Sequence, residues 1–205
     1  MTRRRLTAAE RRQELLAAAM HVFGERGYHG ASIDDIASQA GVSKALIYEH
    51  FASKRELHDE LLEEHAGELF RRFEESAARG QTGEERLRGG VDAFFSFVED
   101  HREAWRVLFR DAADPDLEPV IGLLQAQATR AIVALTASDP TNPGGADAET
   151  VEMYAQLTSG ACQALANWWQ DHPEVPRGEL VDRVVEFCWI GMDRVRRGER
   201  ADRHA

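Results

Sequence analysis

The sequence predicts an all-α protein, and three observations carry that reading. Apolar residues recur at three- and four-residue spacing along most of the chain. No stretch alternates apolar and polar residues as a half-buried strand does, and clusters of Val, Ile and Thr are few. Ser or Thr followed three residues later by an acidic residue stands at the head of several periodic segments. The expected count is about nine helices in a chain of 205 residues, 43% of them hydrophobic. That length suits one moderately large domain, or a small one joined to a larger.

Thr7-Ala-Ala-Glu10 is a capping box: the threonine accepts from the backbone three residues on, and the glutamate reaches back. Leu15, Ala19, Val22 and Phe23 then share a face, and Gly27 closes the helix. Ser32-Ile-Asp-Asp35 opens a short second helix with Ile33, Ile36 and Ala37 inward, and Gly41 ends it. Ser43 opens a third. Ser53-Lys-Arg-Glu56 is another capping box and starts a long helix to about Arg79. Thr82-Gly-Glu-Glu85 starts one to about His101. Helical segments follow near 102–112, 116–138, 147–170 and 178–197. Breaks fall at Pro115, Pro119, 139–145 and 172–178.

Composition narrows the function. No apolar run approaches the roughly 18 residues of a membrane span. The basic start MTRRRLTAAERR is followed by no apolar core of a secretory signal. Cys162 and Cys188 have no metal-type spacing and fit buried thiols in a reducing cytoplasm. The net charge of −11 argues against nucleic acid, but its distribution does not. Residues 1–55 hold nine Lys/Arg against six Asp/Glu, a net +3, so the body carries all the acid excess. Only the N-terminal end is suited to an anionic partner.

The second and third helices are separated only by Ala40-Gly41-Val42, a helix-turn-helix spacing. Ile47 and Phe51 face inward with Val42 just before them. Lys44, Ala45, Leu46, Tyr48 and Glu49 are left outward or sideways. An Ala-Leu-Tyr surface beside a lysine suits a helix entering the DNA major groove, where apolar groups touch thymine methyls.

Residues 10–57 resemble the DNA-binding module of the tetracycline-repressor (TetR) family of bacterial transcription regulators. The likeness rests on AAAMHVFGERGYHGAS, IDDIASQAGVSKALIYEHF and SKREL, about a quarter of the chain. It implies a DNA-binding domain over 1–53 and a ligand-binding and dimerisation domain over 54–200. It implies that Ser43 and Lys44 meet phosphate or base edges, and that Ala45 and Leu46 face the groove. Tyr48 and His50 match residues that approach phosphate. Lys54 matches a phosphate-binding lysine, and Ser32 a cap beside the DNA backbone. Two positions depart from the family. Leu46 stands where a small polar residue is common. Glu49 stands where a neutral or basic one is, and either accepts from a cytosine amino group or pairs with Arg55.

Segments 147–170 and 178–197 are apolar on two faces each. Val151, Tyr154, Thr158, Ala161, Leu165 and Trp168 form one seam, and Met153, Leu157, Gly160 and Ala164 another. Val181, Val184, Cys188, Gly191 and Val195 form a third, flanked by Leu180 and Phe187. One face packs on the protomer and one on a second copy, giving a homodimer and a pseudo-palindromic double-stranded operator. The resemblance implies the same interface, release by a small-molecule effector, and repression as the direction of control. Phe94, Trp105, Phe109 and Gln125, with Met153 and Leu157, are the candidate effector site; the aromatic cluster there reads equally as packed core. No cofactor or metal is expected. His58 and His65 lack ligand spacing and read as solvated groups. A small all-α enzyme and a non-specific architectural DNA-binding protein are the alternatives. The first lacks a nucleophile or phosphate-loop motif, and the second needs more basic surface.

Overall fold

The computed structural model describes residues 6–77, 79–107, 126, 130, 133 and 148–196. Among these are eight helices and no strand. They are α1 Ala8–Gly30, α2 Ile33–Ala40, α3 Lys44–His50, α4 Lys54–Ala77, α5 Gly83–Asp100, α6 Arg102–Trp105, α7 Ala148–Gln170 and α8 Arg177–Arg196. The segment expected as helix over 116–138 lies outside the described residues but for three isolated positions.

The helix starts follow from local chemistry. Thr7 accepts from Glu10 N (3.2 Å), and Glu10 accepts from Thr7 N (2.7 Å). Thr82 and Glu85 repeat the exchange at α5, and Ser32 and Asp35 do so at α2 with a shorter acid. At α4 the serine accepts from Glu56 N, while the glutamate reaches one residue further back, to Ala52 N (2.5 Å). Each such cap contributes about 1 kcal/mol. The α1 geometry breaks at Gly27 (φ 69°), where the sequence closes the helix, and one more turn carries on to Gly30.

The chain divides into two compact units. In the first, residues 6–67 with 103–107, α1 buries Leu15, Leu16, Ala19 and Phe23 against Ile36, Ile47, Phe51, Leu57 and Leu62. His58 is fully buried there, edge-on to Phe23 (5.7 Å) and Tyr28 (5.0 Å). It is therefore not the solvated group that its polar neighbours in sequence suggest; its own helix face carries Leu57, Leu61 and Leu62 inward and takes the imidazole with them.

In the second unit, residues 68–102 with 148–196, α5 packs on α7 and α8. Phe95 meets Trp169 edge-to-face at 6.0 Å, and the Trp169 indole donates to Val175 O (2.8 Å). The α7 inner face is Ala155, Thr158, Cys162, Ala166 and Trp169; that of α8 is Leu180, Val181, Val184, Val185 and Cys188. Burial pushes the Cys162 thiol up to about 12, and the nearby Cys188 adds to it. Arg72 of α4 donates to Ser96 (3.0 Å), Asp100 (2.8 Å) and Glu68 of its own helix. Burial pushes Glu68 upward, but hydrogen bonds from Arg72 and His101 outweigh it and hold the carboxyl below its usual range.

Gly41 is left-handed (φ 63°, ψ 36°), and a methyl added there would meet nothing within 4 Å. The cost of a side chain is thus backbone strain alone. Gly41→Ala is expected to lower stability by about 1–2 kcal/mol and Gly41→Asn by less, read from urea unfolding midpoints.

Candidate nucleic-acid interface

α3 is seven residues long. Gly41 turns the chain out of α2, its N–H bonding back to Ala37 and Ser38 carbonyls. Ser43 then caps α3, its hydroxyl accepting from Leu46 N at 3.3 Å. Ile47 and the following Phe51 are buried, which fixes the roll of the helix. Ser43, Lys44, Ala45, Tyr48 and Glu49 are exposed as a result; Leu46 and His50 are half-buried. Tyr48 is 50% exposed, unusual for so large a ring. Ser32, capping α2, is exposed as well.

The charges here are paired. Lys44 Nζ lies 2.8 Å from Asp34, and that hydrogen bond raises its pKa. Asp35 bonds the Ser32 hydroxyl (2.6 Å) and pairs with Arg26 (2.5 Å); the serine bond is the main reason its carboxyl lies below the usual range. Both acids sit in the first turn of α2, where the helix dipole favours them. Glu49 does not pair with Arg55, which pairs with Asp59 at 3.5 Å.

Lys54 is not free to reach outward. Its ammonium donates to Tyr28 O (2.6 Å) and Ala31 O (3.0 Å) and lies 4.3 Å from the Tyr28 ring centre. It pins the end of α1, where orphan carbonyls attract a cation. Arg12 escaped the sequence reading. Its guanidinium donates to the carbonyl of His50 (2.5 Å) and to both carboxylate oxygens of Glu60, and lies 4.1 Å from the Phe51 ring centre. The one local signal was its place one turn ahead of Leu15 and Leu16, on the buried side of α1.

Four of the six candidate effector residues lie among the described residues. Phe94 is buried in the second unit, edge-on to Phe95 at 5.2 Å, while Trp105 is buried in the first. Met153 (53% exposed) and Leu157 (63% exposed) are on the outer face of α7, because Ala155, Thr158 and Cys162 take its inner face. Phe109 and Gln125 lie outside the described residues. A groove of about 600 Å³ in the second unit is lined by Arg71, Arg72, Ser76, Arg79, Asp92 and Asp100; it is polar, not aromatic. Among the described residues no three His, Cys, Asp or Glu side chains are placed to share a metal ion, and no helix is long and apolar enough to cross a membrane.

Two helices joined by a left-handed glycine, the second held by its inner face and open on its outer one, define a helix-turn-helix DNA-binding module. The comparisons agree. The family model "Bacterial regulatory proteins, tetR family" matches residues 15–61, and "Tetracyclin repressor-like, C-terminal domain" matches 84–191. The transcriptional activator FasR of Mycolicibacterium smegmatis is 32% identical over 93% of this chain and 87% of its own. The repressor KstR2 of Mycobacterium tuberculosis is 40% identical over 50% of this chain and 51% of its own. A TetR-like regulator from Rhodococcus sp. RHA1 superposes with a TM-score of 0.76 at 27% identity, covering 92% of this chain and 99% of the other. The chain belongs to the TetR family and is a DNA-binding transcriptional regulator.

A phosphate bound by Lys44 would take the place of Asp34. Asp34→Asn removes that exchange and one repelling charge. Affinity for operator and unrelated duplex alike is expected to rise roughly two- to fivefold at low salt, measured by fluorescence anisotropy.

Proposed function

We propose that this regulator binds a pseudo-palindromic operator as a homodimer, one α3 per half-site, and leaves it when a small molecule binds. The exposed α3 face carries the proposal. Ser43 and Lys44 meet phosphate or base edges at its start; Ala45 and Leu46 lie against thymine methyls in the groove; the Tyr48 hydroxyl and His50 approach the backbone, with Ser32 beside them. Lys54 acts from behind, holding the end of α1 against α4. Residues 1–53 form the reading domain and 54–200 the effector and dimerisation domain.

A second copy is supported by α7. Met153, Leu157, Gly160, Ala164 and Trp168 follow one another at three- and four-residue spacing, and all five are exposed. Phe187 of α8 is 74% exposed. Large apolar groups left out on one helix face favour a self-complementary contact with a copy of that face. Two-fold symmetry then sets half-sites about 10 bp apart or a multiple of that.

For the effector we propose an acyl thioester. FadR of Bacillus subtilis, a fold relative with a TM-score of 0.73 at 22% identity, was solved with stearoyl-CoA. Effector and operator must then weaken each other by one factor. Repression follows where the operator overlaps a promoter. FasR is named an activator and KstR2 a repressor, so the fold does not set the sign.

Selection from random duplexes should enrich one palindrome. Leu46→Thr should change the base preferred at one position of each half-site, while Lys44→Ala should weaken all sequences alike and lower the salt slope by about one. No enriched motif, or equal effects from both substitutions, would refute the reading of α3. In sedimentation, Leu157→Glu should give a folded monomer whose operator affinity falls on the order of 10²-fold or more, because two linked heads become one.

A further inference from the structure

We propose that Arg12 is a positioning residue for operator reading, which locks the carbonyl end of α3 to α4. The inference rests on the reading of α3 as the DNA-facing helix. The His50 carbonyl at the end of α3 is one of the four orphan acceptors every helix leaves there. Arg12 supplies its donor from α1. The same planar ion is gripped by both oxygens of Glu60, with Glu56 at 4.0 Å, so α4 fixes where the donor points. Phe51, the residue that ends α3, lies under the guanidinium face. Three helices thus converge on one side chain.

The two ends of α3 are held differently. The start is held locally by Gly41 and the Ser43 cap. The end has Ile47 and Phe51 below it and Arg12 beside it. Apolar packing limits depth, but it is non-directional and tolerates small rotations. A carbonyl held by a fork that is itself held bidentately does not. A few degrees of roll in so short a helix moves Tyr48 and Leu46 relative to any base edge. Displacement of the first turns of α4 is passed through Glu60 and Arg12 to the same carbonyl.

Arg12 spends its charge on Glu60, so its loss removes geometry and not attraction for phosphate. Lysine keeps the charge and cannot make the fork. Full-length Arg12→Lys and Glu60→Gln proteins are titrated with the selected operator and with an unrelated duplex over a range of salt, beside thermal melts. Each substitution is expected to weaken operator binding about tenfold or more, to change unrelated binding less than twofold, and to leave the salt slope unaltered. The double variant should lose no more than the worse single one, since both break one linkage. Operator binding within twofold of wild type in folded Glu60→Gln and Arg12→Lys proteins overturns the proposal. So does an equal loss on both duplexes in an Arg12→Ala protein, with a salt slope lowered by about one, which would make Arg12 a phosphate ligand. A wild-type protein that selects no operator removes the reading of α3 itself, and is told apart because the failure precedes any substitution.

Discussion

A seven-residue helix does not hold itself in water, and the DNA-facing surface of this chain depends on that constraint. Isolated helices shorter than about 12–15 residues are marginal even with favourable sequences. α3 therefore takes its shape from its surroundings: a left-handed glycine and a serine cap before it, two apolar side chains beneath it, and a guanidinium at its last carbonyl. These supports all act on one side or at the ends. The opposite side buries no side chain in the core, and Lys44, Ala45, Tyr48 and Glu49 are exposed there.

The electrostatics follow a similar economy. The N-terminal quarter is basic on a formal count, yet among the described residues its cations are mostly engaged. Arg11 holds Glu14, Arg12 holds Glu60, Arg26 holds Asp35, Lys44 holds Asp34, and Lys54 holds two carbonyls. Such a head does not act as a loose positive field. A phosphate meeting these cations would have to displace their partners, which lowers the attraction for arbitrary DNA relative to a head of free lysines. The acidic body works in the same direction by repelling duplex that is not held in register.

Features set within one helical turn were legible in the sequence. The caps at Thr7 and Thr82, the breaks at Gly27 and Gly41, and the inward Ile47 and Phe51 need only neighbours three or four residues away. Partners far along the chain were not legible. Lys54 has the charge and helix-start position of a phosphate ligand, but its acceptors are 23 and 26 residues back. Arg12 meets its acceptors 38 and 48 residues on. His58 looked solvated because its carboxylate neighbours are visible in sequence and the Phe23 and Tyr28 rings around it are not. In α7 the pattern required two buried faces without saying which lay inside. The inner face is neither of the two expected seams and shares only Thr158 with the first. Ala155, Thr158, Cys162, Ala166 and Trp169 go in, and Met153, Leu157 and Trp168 stay out.

That sorting bears on why both halves of the chain are needed. An outward face of about five residues on a two-turn helix reaches only a few base pairs, and each good base contact supplies roughly 1–3 kcal/mol of discrimination. One head cannot separate a single operator from a genome of competing sites. Two heads on a common axis can, because the second binds as though at high local concentration. In the proposed homodimer, the brevity of α3 and the exposed stripe of α7 are linked demands. A longer reading helix would need less help from a partner. With α3 this short, the proposed homodimer would supply, through the surface joining two chains, the specificity that the α3 surface lacks.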